Sequence, residues 1–205
     1  HLGMHIEYAI QDEARGISEA FIIGEEFLDG NPVALVLGDN IFYGDDFYKD
    51  LMYISKQNEN CVFGYRVSNP SDYGVVDFEV PSDPYERNVR VNSIEEKPEE
   101  PKSAYAVPGL YFYDNTAVSR AKALEPSERG ELEITDLNNS YITDKKLKVK
   151  LIRDSAAWFD TGNADQMFEA YKKHFITEEQ FCEIICKMPD CMYKEYLQHK
   201  YPVLV

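Results

Sequence analysis

At 205 residues the chain can bury one good core, and length alone favours a single domain with at most a small appendage. A formal charge of -16 excludes the clustered basic face that a nucleic acid or an anionic membrane would require. No apolar run approaches the roughly 18 to 20 residues that cross a bilayer and no signal-peptide pattern is visible, which predicts a cytoplasmic protein.

Ile6 to Ile10 alternate enough to predict a short strand, followed by the polar connection QDEARG, Gln11 to Gly16. From Ile17 the positions Ile17, Ala20, Phe21, Gly24, Phe27 and Leu28 follow helical spacing until Gly30, Asn31 and Pro32 stop it. Val33 to Leu37 then reads as a strand buried on both faces, closed by a Gly-Asp-Asn turn. A second helix carries Phe47, Leu51 and Ile54 and ends near Asn58, and Cys61 to Val67 is the next strand. Such a strand, helix, strand unit sets its two strands parallel in one sheet, with the helix packed on a face.

Asn69-Pro70 changes the rhythm. Val75 to Val80 and Val89 to Ile94 read as an antiparallel excursion, and Ala106 to Tyr113 as a β-prone return to the core. Asp114 or Asn115 can cap a helix carrying Val118 to Leu124. A helix over Ile134 to Ile142, a strand over Leu147 to Ile152 and a helix from about Ala164 to Phe175 complete the body. The chain therefore divides into a domain over residues 1–176 and a helical tail over residues 177–205, whose apolar residues predict self-association. Strands alternating with helices, plus an antiparallel insertion, make the class α/β with a mixed, mostly parallel central sheet flanked by helices.

Cys61, Cys182, Cys186 and Cys191 make no disulfide scaffold. The three late ones, even with His174 and His199, fit no compact zinc module, and Cys182 with Cys186 is an ordinary helix pair.

Four stretches place a charged or amide residue within two residues of Gly or Pro at the edge of an apolar strand: LGDN (37–40), DYGVV (72–76), EEKP (95–98) and WFDTG (158–162). A fifth, RGELEITD (129–136), sets Arg before Gly at a helix entrance. In an open parallel sheet, ligands bind beyond the carboxyl ends of the strands, so Asp39 and Asn40 would project into a site. Gly, Asp and Asn are also ordinary turn formers, and Asp160 could simply cap the helix after it, with Thr161 competing for that role.

Together with YAVPGLYFYD, these stretches in this order resemble the sugar-1-phosphate nucleotidyltransferase family, and in particular its glucose-1-phosphate thymidylyltransferase branch. The resemblance covers most of residues 5–175 and fades from about Thr177. It implies a Rossmann variant of the nucleotide-diphospho-sugar transferase type, with a sugar-phosphate oxygen attacking the α-phosphorus of dTTP and pyrophosphate leaving. In that chemistry the protein positions the reactants and neutralises charge.

By the same resemblance, Asp39 and Asp160 match the aspartates that hold Mg2+. Two carboxylates from distant strand ends suit a hard cation that keeps waters and takes phosphate oxygens. Lys97 matches the lysine that meets the sugar phosphate and Arg129 a second cation for it, although salt bridges with Glu95, Glu96, Glu131 and Glu133 are the plainer use of both. Glu96 matches the acceptor of sugar hydroxyls, while Asn40 and the backbone of Gly74 and Val107 complete the pocket; Gly74 could instead sit in a turn. Gln11 and Gly16 match the positions that read the pyrimidine, but Ala14 and Arg15 depart from the commoner pattern, which leaves base choice open.

The family's opening strand and glycine-rich triphosphate loop do not precede His1, and no GxGxR-type loop occurs elsewhere in the chain. The expectation is therefore a fold lacking its first βα unit, with a sheet edge left unpaired and turnover by the isolated chain weak or absent. Two other readings compete. One is a sugar-phosphate binding or assembly module without catalysis. The other is a metal-dependent glycosyltransferase, against which Lys97 and Arg129 argue, since paired cations suit a free sugar phosphate.

Overall fold

A computed structural model describes residues 3–153, 155–161, 171, 176–187, 194 and 198. Its elements in chain order are α1 (Glu19–Ile23), α2 (Glu25–Leu28), β1 (Val33–Val36), β2 (Asn40–Tyr43), α3 (Asp45–Ile54) and β3 (Asn60–Arg66). A short 3-10 turn, Pro70–Asp72, leads into β4 (Gly74–Glu79), β5 (Asn88–Glu96), β6 (Tyr105–Ala106) and β7 (Leu110–Tyr113). Then come α4 (Ala117–Lys122), α5 (Ile134–Thr143), β8 (Leu147–Leu151), β9 (Ala157–Asp160) and α6 (Glu178–Lys187). The strands form a seven-stranded sheet in the order β1-β7-β3-β6-β4-β5-β8, with a further β3–β8 pairing, and a separate two-stranded sheet, β2-β9.

Strand β3 shows how the layers arise. Its side chains alternate, so Val62 faces a core containing Phe21, Tyr111, Leu137, Tyr141 and Val149. Cys61 and Phe63 face the other way, toward Phe47, Ile54, Leu110 and Ile152. Helices α1, α4 and α5 cover the first face and α3 covers the second, which is the α/β class the sequence implied. On the α5 side, Tyr113 stacks on Tyr141 with ring centres 5.1 Å apart, and its hydroxyl donates to the buried Asn138 Oδ1 at 2.6 Å.

The strand directions differ from the expected majority. β1–β7, β3–β7, β3–β6, β4–β6, β4–β5 and β5–β8 are antiparallel, and among the described strands only β3–β8 pair in parallel. β1 and β3 do run in the same direction, as the crossover rule requires, but β7 lies between them and pairs with both. Two segments carried the discrepancy: the excursion, through β4 and β5, and the return to the core, whose β6 and β7 run antiparallel to β3 and, for β7, to β1 as well.

Local departures have equally plain causes. Residues 6–10 form no strand, and Ile6, Tyr8 and Ile10 are 61, 93 and 82 % exposed, because alternation without a paired neighbour supplies no ladder. β1 is not buried on both faces: it is the end strand of the sheet, and Val36 is 57 % exposed. The helix expected from Ile17 to Leu28 breaks at Gly24, the residue with the least backbone bias toward helix after proline. The run 106–113 breaks at Val107-Pro108-Gly109, where proline has no N–H for a ladder. Thr116 occupies the N-cap of α4 without a side-chain cap bond, while Asp114 acts one step earlier by accepting from the Thr116 N–H at 2.9 Å. The helix expected over 164–175 lies almost wholly outside the described residues, as does most of the tail; α6 is its described part.

Candidate active site

The turn after β1 delivers Asp39 directly into β2, and β2 pairs antiparallel with β9 in the register Asn40↔Asp160 and Phe42↔Trp158. Cross-strand partners project on one face with Cβ atoms about 4.5–5.5 Å apart, so Asn40 stands beside Asp160. Thr161 closes the pair, donating from both its N–H and its hydroxyl to the Asp39 carbonyl, each at 2.8 Å. Two aspartates far apart along the polymer are thereby brought to one strand end. The sequence signalled the two residues but not the strand that joins them.

Asn40 fixes the local geometry. Its Oδ1 accepts from the Gly109 N–H at 2.8 Å and from Trp158 Nε1 at 2.7 Å, so the amide nitrogen must point the other way. That nitrogen donates to Asp39 Oδ1 at 2.8 Å. Trp158 is held edge-on between Tyr65 and Tyr73, with ring centres 5.6 and 5.4 Å away. The indole, the amide and the carboxylate form one chain of contacts. Asn40 was expected at the pocket; its tie to Trp158 and Gly109 was not legible, because it depends on the β2–β9 register.

A cleft opens beside this corner, lined by Asn40, Asp160 and Trp158 from β2 and β9, Tyr73 and Gly74 at the start of β4, Glu96 at the end of β5, and Val107, Ile17 and Thr135. Gly74 is strand, not turn, and pairs with Glu96. A Cβ at Gly74 would meet Thr135 Oγ1 at 3.2 Å and Glu96 Oε2 at 3.4 Å, so the missing side chain keeps the cleft floor open beside the glutamate. The Val107 N–H donates to the Gly74 carbonyl at 2.8 Å, so those two backbone groups are spent on joining strands. Thr135, at the head of α5, donates to Glu96 Oε2 at 2.6 Å, and Asn139 grips the Ile94 backbone through both amide atoms, at 3.0 and 2.8 Å. Neither role showed in the motif. A threonine on the buried face at a helix start was the available signal.

Tyr111 lies under the cleft, where burial, with the Glu96 and Asp39 charges adding to it, pushes its phenol up and keeps it neutral. Lys97 sits at the rim, one residue past Glu96, in a left-handed conformation with φ 43°. Its N–H donates to the Tyr73 carbonyl at 3.0 Å, and its ammonium makes no ion pair among the described residues. Arg129 differs. Its guanidinium meets Glu133 at 2.8 Å, Glu131 at 3.6 Å and Glu96 at 4.0 Å, so the salt-bridge use foreseen for it is realised, at the edge of the cleft. Hydrogen bonding to Glu133, against some desolvation, pushes its pKa further up.

Gln11 and Gly16 do not line the cleft, although Ile17 next to them does. Gly16 has φ +96°, and a Cβ there would stand 2.5 to 2.8 Å from the Leu132 backbone. The Leu132 N–H donates to the Arg15 carbonyl at 2.8 Å, and the Ser18 N–H to the Leu132 carbonyl at 3.2 Å. The glycine is thus needed to seat the 11–18 loop on the loop that carries Arg129. Glu19, 8 % exposed, takes Arg15 at 2.8 Å and Gln11 Nε2 at 2.6 Å. No motif in the sequence singled it out.

The donor set decides which cation would fit. Among the described residues no three His, Cys, Asp or Glu side chains gather at a point, so no zinc cluster is formed there; His174, Cys191 and His199 lie outside them. Asp160 lines the cleft and Asp39 precedes its cross-strand partner Asn40, and oxygen donors of this kind would suit a hard cation such as magnesium rather than zinc. No helix among the described residues is long and apolar enough to cross a membrane.

The chain is 50 % identical over 169 residues to a glucose-1-phosphate thymidylyltransferase of Neisseria meningitidis serogroup A, an alignment covering 82 % of this chain and 56 % of that protein. To the enzyme of the same name from an Actinoplanes species it is 46 % identical over 185 residues, covering 90 % and 59 %. It therefore spans somewhat more than half the length of the curated relatives it matches. A crystal structure from Bacillus anthracis, provisionally named a glucose-1-phosphate thymidylyltransferase and solved with a sucrose, superposes with a TM-score of 0.68 at 31 % identity, covering 92 % of this chain and 68 % of that one. The profile of the Nucleotidyl transferase family matches residues 1–176, the stretch that contains every strand described above and both aspartates of the β2–β9 corner. On that match, over most of its length, the chain belongs to the nucleotidyl transferase family.

Proposed function

We propose that this protein transfers a thymidylyl group from dTTP to glucose 1-phosphate, giving dTDP-glucose and pyrophosphate in the cytoplasm, and that residues 1–176 form the domain that does so. The observation that carries the reading is the β2–β9 register, which sets Asp160 beside Asn40, the residue whose amide donates to the Asp39 carboxylate. Identity to the thymidylyltransferases supports the choice of substrates.

In this reading Asp39 and Asp160 would hold Mg2+, which when bound would supply positive charge against the nucleotide phosphates. Glu96, steadied by Thr135, accepts from the sugar hydroxyls on the open floor beside Gly74. Lys97 meets the sugar phosphate as a point charge. Arg129 reinforces it from the rim while its own charge is balanced by Glu133. With both reactants held, a phosphate oxygen of glucose 1-phosphate forms a bond to the α-phosphorus of dTTP as the bond to pyrophosphate breaks. The protein contributes alignment and fixed charge rather than a nucleophile.

Pyrophosphate release from dTTP and glucose 1-phosphate, followed with the complete gene product and with this chain in parallel, tests the proposal. Release by the complete product that depends on both substrates and on Mg2+ is expected. Binding of the sugar phosphate with no release at any enzyme concentration would replace the proposal with a binding module. Transfer from a nucleotide sugar without pyrophosphate exchange would replace it with a glycosyltransferase.

A further inference from the structure

Glu19 is a buried carboxylate that is not among the residues lining the cleft, yet it holds the side chain of Gln11. The Gln11 amide nitrogen has two hydrogens, and both are spent: one on the Gly16 carbonyl at 3.1 Å, the other on Glu19 Oε2 at 2.6 Å. A carbonyl and a carboxylate can only accept, so the amide has one allowed orientation; turned over, it would aim its oxygen at two acceptors. Arg15, pairing with Glu19 Oε1 at 2.8 Å, anchors the carboxylate from its other side. What Gln11 still offers is Oε1, which accepts no hydrogen bond among the described residues. The loop therefore presents an acceptor and no donor.

We infer that Glu19 is a positioning residue that sets base choice through Gln11, by restricting it to pyrimidines that carry a ring N–H. This rests on the proposed reading of Gln11 as a base contact. Uracil and thymine have a donor at N3 that meets Oε1. Cytosine has a lone pair there, which would face the Gln11 oxygen, and the amide cannot turn to meet it while Glu19 and Gly16 hold its nitrogen. The departure of QDEARG from the commoner loop pattern then leaves discrimination against cytosine intact, since the residue enforcing it lies beyond the loop, in α1.

The clean probes are dUTP and dCTP, which differ at that edge alone. Binding of each to the complete gene product is measured by calorimetry, for the unaltered protein and for Glu19→Gln, Gln11→Ala and Arg15→Ala. Because Gln11 is exposed, dUTP is expected to bind roughly tenfold more tightly than dCTP, well short of the discrimination of a sealed pocket. Glu19→Gln, whose amide can take either orientation, should bring that ratio toward one with little change in melting temperature. Arg15→Ala, which leaves the Glu19 to Gln11 bond in place, should retain it. A ratio near one in the unaltered protein overturns the inference without any variant. A ratio erased by Gln11→Ala but kept by Glu19→Gln overturns it too, while sparing Gln11 as the base contact. A ratio kept by Gln11→Ala removes that contact itself, and the inference with it.

Discussion

The β2–β9 corner and the 11–18 loop border the same cleft, but they are held in different ways. At the corner, backbone pairing does the placing: the Asn40↔Asp160 register and the two Thr161 bonds to the Asp39 carbonyl fix where the two aspartates enter, and the Asn40 amide orients the carboxylate of Asp39. In the loop, placing falls to a glycine with no room for a Cβ and to a network of charges, Glu19 with Arg15 and Gln11, next to Glu133 with Arg129. A corner held by its backbone tolerates changes at the two aspartates and loses only chemistry. A loop seated on glycine and ion pairs loses its shape first.

The contrast can be broken or sharpened by substitution, beginning with the largest effect. Asp39→Asn or Asp160→Asn in the complete gene product should cut pyrophosphate release about a thousandfold, the usual upper worth of one electrostatic contact in a transition state, with an unchanged circular dichroism spectrum. Retained turnover at ordinary Mg2+ would take both residues out of the metal site. Gly16→Ala should do the reverse, costing about 3 kcal/mol in denaturant unfolding, from a strained φ together with a clash against the Leu132 backbone. A stable Gly16→Ala protein would mean that the loop is free to lift from residue 132.

Asn40→Ala comes next. It leaves the Gly109 N–H and the Trp158 indole N–H without their acceptor, a loss of about 1–3 kcal/mol, and it should shift Trp158 fluorescence because the ring loses its hydrogen bond. Unchanged emission would show that the indole is held by Tyr65 and Tyr73 alone. The smallest effect separates the two cations. Lys97→Ala should weaken glucose 1-phosphate binding about tenfold, as loss of one charge-assisted contact does, and Arg129→Ala should weaken it less, because that guanidinium is already engaged with three glutamates. Equal losses of sugar phosphate and dTTP affinity in the Lys97 variant would contradict its role.

The same division governs what could be read from the sequence. Asp39, Asp160, Glu96 and Lys97 stood out because each sits within two residues of Gly or Pro at a strand edge, a local pattern that survives without knowledge of the fold. β2 did not. Its sequence NIFY follows a turn and precedes a helix, and its partner β9 comes near the end of the domain, so nothing local announces the pairing. The mixed sheet was legible as a class, but its mainly antiparallel seams were not, because they depend on where the inserted and returning strands dock. Gly16 looked like a ligand contact; its packing against Leu132 is a long-range fact. Arg129 could be read two ways, and only the positions of Glu131 and Glu133 show how fully it is paired.

Binding of Mn2+ to this chain, measured by the loss of its free-ion electron paramagnetic resonance signal and repeated with Asp39→Asn and Asp160→Asn, bears most directly on the corner itself. The register of β2 against β9 predicts one saturable site that both substitutions abolish. Undiminished affinity in either variant would mean that the two carboxylates do not share an ion, whatever their neighbourhood along the strands.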